Sequence, residues 1–248
     1  MRDKMSPPAA PLIALRDVSY LPDDKPVLSG ITLETDAKRI GIVGRNGSGK
    51  TTLARMIAGL VAPDKGTVRI CGADVARNRK AALAAVGILF QNPDHQIIFP
   101  TVEEEIAFGL TQMGKNTAEV KASVAAILQR FGKAHWAEAA IHQLSQGQRQ
   151  LVCLMSVLAM APRVIVLDEP FAGLDIPTTR QLARVLDSLD VCLVMITHDP
   201  AMLDGYDRVL WIDAGRIVQD GPAGPVLAAF TEQMTQLGGG DDLSDLSG

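Results

Sequence analysis

The segment Gly44-Arg45-Asn46-Gly47-Ser48-Gly49-Lys50-Thr51 follows an apolar run, Arg39 to Val43, and precedes a stretch of helical pattern, Leu53 to Leu60. It fits G-x-x-x-x-G-K-[ST], a pattern whose chemistry is phosphate binding. Glycines at 44, 47 and 49 let the backbone wrap until successive N–H groups face phosphate oxygens. The helix N-terminus behind them adds free donors and its dipole. Lys50 is expected to reach the β- and γ-phosphates of a nucleoside triphosphate, and the Thr51 hydroxyl to hold Mg²⁺. Asn46, Ser48 and Thr52 complete the cradle. Far downstream, the run Val164 to Leu167 ends in Asp168-Glu169. Two carboxylates then stand at the C-terminal end of a buried strand, the edge where open parallel sheets take their ligands. Asp168 suits Mg²⁺ and Glu169 suits the polarisation of an attacking water. Read alone, both acids could be solvated loop residues; beside a phosphate loop that reading loses its force. His198 ends the next apolar run, in Ile196-Thr197-His198-Asp199. A single histidine is more often structural, but here a third strand end converges on the same place, and a γ-phosphate contact is expected.

A second anion-receptive helix end lies elsewhere in the chain. In Leu144-Ser145-Gln146-Gly147-Gln148, Ser145 is a good N-cap and Gly147 leaves the start of the following apolar helix open. One triphosphate has no obvious use for both ends.

The elements that must position these groups follow from pattern. Leu12 to Tyr20, Val27 to Leu33, Thr67 to Cys71 and Val86 to Phe90 read as short strands. Val164 to Leu167 and Val191 to Ile196 are continuously apolar and β-branched, the signature of strands covered on both faces. Val120, Val124, Ile127, Leu128 and Phe131 mark one face of a helix, as do Leu182, Val185, Leu186 and Leu189. Gln146 to Met160 continues as helix, and Arg208 to Ile212 with Arg216 to Val218 suggest a hairpin turning at Ala214-Gly215. The fold class expected is α/β: a mostly parallel sheet with an N-terminal antiparallel β portion and an inserted helical subdomain over about 92–160. The domain is expected over 12–236, with a loose arm over 1–11 and an acidic tail over 237–248.

Composition removes several classes. Of 248 residues, 47% are apolar, too many for a disordered chain. A net charge of −4 and 4% aromatics argue against duplex binding or base-stacking platforms. Mean hydropathy is high, at +0.15. Even so, the densest apolar run, Leu151 to Ala161, is too short to span a bilayer, which needs about 20 residues. The N-terminus lacks a secretory apolar segment. Cys71, Cys153 and Cys192 all sit in apolar runs and read as reduced core thiols of a cytosolic protein. His95, His135 and His142 show no metal-ligand spacing.

With these residues in order, the chain resembles the ATP-binding subunits of ABC transporters, with their P-loop NTPase fold, from about residue 12 to residue 235. The resemblance implies that two subunits pair head-to-tail, each ATP lying between one chain's phosphate loop and the other's signature helix. Tyr20 is then similar to the aromatic that stacks on adenine, and Gln91 to the Q-loop glutamine that helps hold Mg²⁺ and the water. Ser145, Gly147 and Gln148 match the signature, Ala172-Gly173-Leu174-Asp175 the D-loop, and His198 the switch histidine. Lys50, Gln91, Glu169 and His198 are the groups this implies for hydrolysis. Gln146 departs from the commonest signature, which has glycine there, and its side chain is expected to reshape the approach to the γ-phosphate.

The stretch Asn92-Pro93-Asp94-His95-Gln96, followed by Pro100-Thr101-Val102-Glu103-Glu104, resembles energy-coupling-factor (ECF) importers. That implies a peripheral protein on the cytoplasmic face of the membrane. A transmembrane coupling subunit would dock near 91–109, with a docking surface from Ile97, Ile98, Phe99, Ile106 and Phe108, and a small substrate-binding membrane subunit would complete the complex. The signature spelling is most similar to ATPases of biotin systems; cobalt- and nickel-system ATPases are close alternatives. A homodimer is the simpler expectation, since one chain carries both half-sites. A soluble ABC ATPase acting on nucleic acid fits poorly, without paired ATPase domains or coiled-coil insertions. A GTPase reading lacks an Asn-Lys-x-Asp motif and leaves Ser145 to Gln148 without roles.

Overall fold

The computed structural model describes residues 10–238, so most of the arm expected over 1–11 and of the tail expected over 237–248 lies outside them. The described chain opens with an antiparallel sheet of β1 (Ile13–Tyr20), β2 (Leu28–Thr35), β4 (Lys65–Ile70) and the two-residue β5 (Ala73–Asp74), in the order β2-β1-β4-β5. Between its strands the chain enters the central sheet through β3 (Arg39–Val43) and returns by helix α1 (Lys50–Ile57).

The central sheet has the order β10-β9-β3-β8-β7-β6. Strands β3, β6 (Val86–Leu89), β7 (Val164–Asp168), β8 (Cys192–Ile196) and β9 (Arg208–Asp213) are parallel; β10 (Arg216–Gly221) closes the hairpin from β9. All ten residues of β7 and β8 are buried, because both faces are covered. Their side chains divide by parity. Val164, Val166, Val194 and Ile196 pack with α1 and the antiparallel sheet. Ile165, Leu167, Leu193 and Met195 pack on the opposite face. There they meet α5 (Gln146–Ala159), α6 (Ile176–Asp187) and α7 (Ala223–Gly238). At about 1.5–3 kcal/mol per fully buried aliphatic side chain, this two-faced burial dominates the favourable side of folding.

Helices α2 (Arg79–Ala85), α3 (Val102–Gln112) and α4 (Thr117–Arg130) complete the list. α3 and α4 build a separate core on α5, with Val102, Ile106 and Leu110 facing Val124, Leu128, Val152 and Met155. α5 therefore belongs to two cores at once: Cys153, Leu154 and Val157 face the sheet while Val152 and Met155 face the helical subdomain.

The structure departs from the sequence expectations at four points. α1 begins at Lys50 rather than Leu53, since Gly49 at φ 101 supplies its N-cap directly. Ile106 is fully buried, because Val102, Ile106 and Leu110 recur every four residues on the inward face of α3. It cannot form part of an outer docking surface. Helices α2 and α7 were not anticipated, although Val226, Leu227 and Phe230 have helical spacing and are buried against the sheet. α7 also runs to residue 238, where a tail was expected from 237.

Candidate functional site

Register places the chemistry. Leu89 pairs with Leu167, Asp168 with Ile196, and Ile42 with Ile196 across the parallel ladders. The loops after β3, β6, β7 and β8 therefore leave the sheet at one edge. They carry Gly44 to Gly49, Gln91, Glu169 and His198.

The loop after β3 is held from behind. Gly44 could not be replaced: an added Cβ would lie 2.1 Å from the Ile212 carbonyl oxygen of β9. Gly215, in the β9–β10 turn, donates its N–H to Ser48 O (3.1 Å), and Ser29 N–H donates to Gly215 O (2.9 Å). The hairpin turn thus ties the phosphate loop to the antiparallel sheet. Ser48 Oγ is buried without a protein partner among the described residues. Lys50 is 7% exposed, and its Nζ donates to Gly44 O and Arg45 O, both at 2.8 Å. Burial lowers its pKa, opposed by the charges of Glu169 and Asp168.

Asp168 ends β7 nearly buried, and burial raises the pKa of its carboxyl. The Thr51 hydroxyl donates to its Oδ1 at 3.3 Å, which works in the opposite direction. This pair of hard oxygen donors is the kind of set Mg²⁺ takes, one or two protein groups alongside phosphate oxygens. Glu169 turns out of the strand with φ 50, its N–H donating to Ile196 O (2.9 Å). Its Oε2 lies 2.9 Å from His198 Nδ1; the glutamate side chain is 15% exposed and the histidine 69%. A carboxylate at that distance makes Nδ1 the donor and orients the imidazole.

A cavity of about 500 Å³ collects Asn46, Gly47, Gly49, Lys50, Thr51, Thr52, Gln91, Asp168, Glu169 and His198. Gly44 and Ser48 line an adjoining cavity of about 870 Å³, bounded by His198, the Asp213-Ala214 turn and α7. Tyr20 lines neither cavity; it is half-buried against the first core, paired with Leu28 next to the lining residue Val27.

Ser145, Gly147 and Gln148 also stand outside both cavities, at the start of α5. Ser145 Oγ accepts from Gln148 N–H (3.3 Å), and Gln148 Oε1 accepts from Ser145 N–H (2.8 Å). This reciprocal capping box defines the helix start. Gln146 turns toward its own chain's D-loop segment: Nε2 donates to Ala172 O at 3.4 Å and would lie 2.9 Å from a Cβ added at Gly173. Gly147 has a packing reason to be glycine, since a Cβ would lie 2.3 Å from Thr178 Cγ2 on α6. Gly147→Ala is expected to cost about 1–3 kcal/mol by overpacking. In thermal unfolding, Thr178→Ser should restore much of that loss, because it removes the clashing methyl. A Gly147→Ala protein melting like wild type would exclude the contact.

Sequence reasoning missed Arg149 and Gln150 on α5. Arg149 Nε lies 3.0 Å from Asp94 Oδ1, and its Nη1 donates to Leu144 O at 2.7 Å. Gln150 is 1% exposed, and its Nε2 donates to Phe90 O at 3.2 Å. A glutamine on the inward face of an apolar helix was the available signal.

Comparison with known proteins gives a consistent outcome. A family profile described as "ABC transporter" matches residues 28–172. A biotin transport ATP-binding protein, BioM, of Rhodobacter capsulatus is 52% identical over 215 residues, covering 87% of this chain and 92% of that protein. A putative ABC transporter ATP-binding protein of Deinococcus radiodurans is 40% identical, over 90% of this chain and 99% of its own length. Among solved structures, cbiO1 from Clostridium perfringens, part of the ABC transporter complex cbiONQ, superposes with a TM-score of 0.75 at 28% identity. It covers 92% of this chain and 94% of that one.

Proposed function

Since this chain belongs to the ABC transporter family of ATP-binding subunits, of the ECF type, we propose that its ATP hydrolysis energises biotin import through membrane partners. The observation that carries the reading is the division of the site. The phosphate loop, Asp168, Glu169 and His198 gather at one sheet edge, while the capped start of α5 lies outside that cavity in the same chain. A second copy placed head-to-tail would bring Ser145, Gly147 and Gln148 over the phosphate loop, completing two sites by one two-fold operation. The solute is argued from relatives: BioM proteins of Rhodobacter capsulatus and Rhizobium etli are 52% and 42% identical to this chain.

In this reading the groups divide the work of phosphoryl transfer, which is chiefly positioning and charge stabilisation. Lys50 leaves its carbonyl partners for the β- and γ-phosphates. Thr51, Gln91 and Asp168 would hold Mg²⁺, which neutralises phosphate charge when bound. Glu169 orients the attacking water and takes its proton, and His198, which donates to the Glu169 carboxylate in this structure, would turn a ring N–H to the γ-phosphate. Tyr20 would stack on adenine. Gln146, drawn to the D-loop, leaves the γ-phosphate approach to Ser145 and Gly147.

For the coupling subunit, the favoured surface is a groove of about 220 Å³ whose lining includes Leu60, Ile98, Glu105 and Phe108. Ile98 is 68% exposed and Leu60 54%, unusual for large apolar side chains. Among the described residues no helix is long and apolar enough to cross a membrane. The test is uptake in membranes containing this chain and its partners, with labelled biotin set against Co²⁺ and Ni²⁺. Biotin uptake alone is expected, and uptake of a metal ion alone would overturn the solute. In the same assay Ile98→Asp should abolish uptake while hydrolysis by the isolated chain changes less than about twofold. Undiminished uptake would move the docking site elsewhere.

A further inference from the structure

Two adjacent residues of α5 hold the chain on either side of the proposed catalytic groups without lining the phosphate cavity themselves. Gln150 donates from Nε2 to Phe90 O (3.2 Å) and, at 3.5 Å, to Pro170 O. Phe90 directly precedes Gln91, and Pro170 directly follows Glu169. Gln150 Oε1 has no partner among the described residues, so the fold uses this buried amide for its donor end. Arg149, the residue before it, meets Asp94 at 3.0 Å and the Leu144 carbonyl just ahead of Ser145 at 2.7 Å. The segment 90–94 is thus hydrogen-bonded at its start by Gln150 and meets Arg149 at its end as an ion pair, without an aligned hydrogen bond from Nε. From the same helix turn, contacts reach the strand end that carries Glu169 and the cap of the signature helix. Buried amides can hold such backbone geometry because their unmet donors are costly in a dry interior.

We infer that Arg149 and Gln150 are positioning residues, a clamp through which α5 sets where Gln91 and Glu169 stand against the phosphate edge. α5 is shared between the helical subdomain and the sheet, through Val152 and Met155 on one side and Cys153, Leu154 and Val157 on the other. The inference rests on the roles proposed above for Gln91 and Glu169.

Gln150→Met keeps the volume of the side chain and removes both donors. Phosphate release, ATP binding and thermal melting are measured on the purified full chain, with Glu169→Gln run beside it. For Gln150→Met, kcat is expected to fall about tenfold or more while KM for ATP stays near wild type and the melting temperature drops by only a few degrees, leaving the chain folded under assay conditions, the pattern of a group that matters in the transition state. Wild-type kcat overturns the inference. So does a loss that follows the melting temperature or the amount of ATP bound, which would make Gln150 a packing element only. Should the methionine variant not fold, Gln150→Glu, of equal length, exchanges donors for acceptors and is read in the same way; failure of both to fold also overturns it. If Glu169→Gln turned over like wild type, the underlying site reading would fall and the clamp with it. A slow Glu169→Gln beside a wild-type Gln150→Met would overturn the clamp alone.

Discussion

Glu169→Gln should reduce steady-state ATP hydrolysis by about a hundredfold or more, the scale of a lost general base, while ATP binding persists. The amide keeps the length of the side chain and can still accept the hydrogen bond from His198 Nδ1, now 2.9 Å away. The backbone of Glu169 at φ 50, fixed by its N–H bond to Ile196 O, is equally available to glutamine. What disappears is the carboxylate proposed to take the proton of the attacking water. Removing a negative charge from beside the phosphates does not weaken their binding. Phosphate release and equilibrium ATP binding measured on one preparation separate the two effects. Wild-type turnover in this variant would remove Glu169 from the mechanism.

Lys50→Met is expected to act on binding itself. Lys50 Nζ bonds to two backbone carbonyls of its own loop, Gly44 O and Arg45 O, and sits in a nearly closed environment that lowers its pKa. The charges of Glu169 and Asp168 favour its protonated form and counter that shift. Charge-assisted hydrogen bonds contribute about 1.5–3 kcal/mol each. Losing the contacts to two phosphate groups should therefore weaken ATP binding about a hundredfold or more. Calorimetric titration with ATP gives the result directly, and an affinity within a few-fold of wild type would place the phosphates elsewhere. Methionine retains the apolar stem, so the fold should survive, with melting lowered by a few degrees for the lost bonds to Gly44 O and Arg45 O.

Much of the site was legible because its parts are local. A glycine-rich turn between a strand and a helix needs its residues at fixed spacing, so Gly44 to Thr51 declares itself in eight consecutive letters. The apolar runs at β7 and β8 state their two-faced burial equally directly, and the acids at the end of β7 follow from strand direction. The reasons for other residues are long-range and leave little trace. Gly147 answers to Thr178 on another helix, and Gly44 to a carbonyl of β9. Ile106 reads as apolar and near the coupling stretch; only the orientation of α3 turns it inward.

Gln146 shows the same limit from the other side. Its departure from the usual spelling is visible in the sequence, but its direction is not. The side chain lies toward Ala172 and Gly173 because α5 and the segment after β7 meet there. Arg149 and Gln150 were passed over for the same reason: their partners, Asp94, Phe90 and Pro170, are brought to α5 by packing.

Residue type at short, fixed spacing is enough to read the phosphate chemistry, the parallel sheet and the family. Tertiary structure decided which groups share a cavity, and that the phosphate loop and signature helix of one chain do not. It also decided that a single helix, α5, belongs to both cores. The physical reason is that contacts between distant segments are set by the combined packing of whole elements, a property that no local stretch of residues encodes.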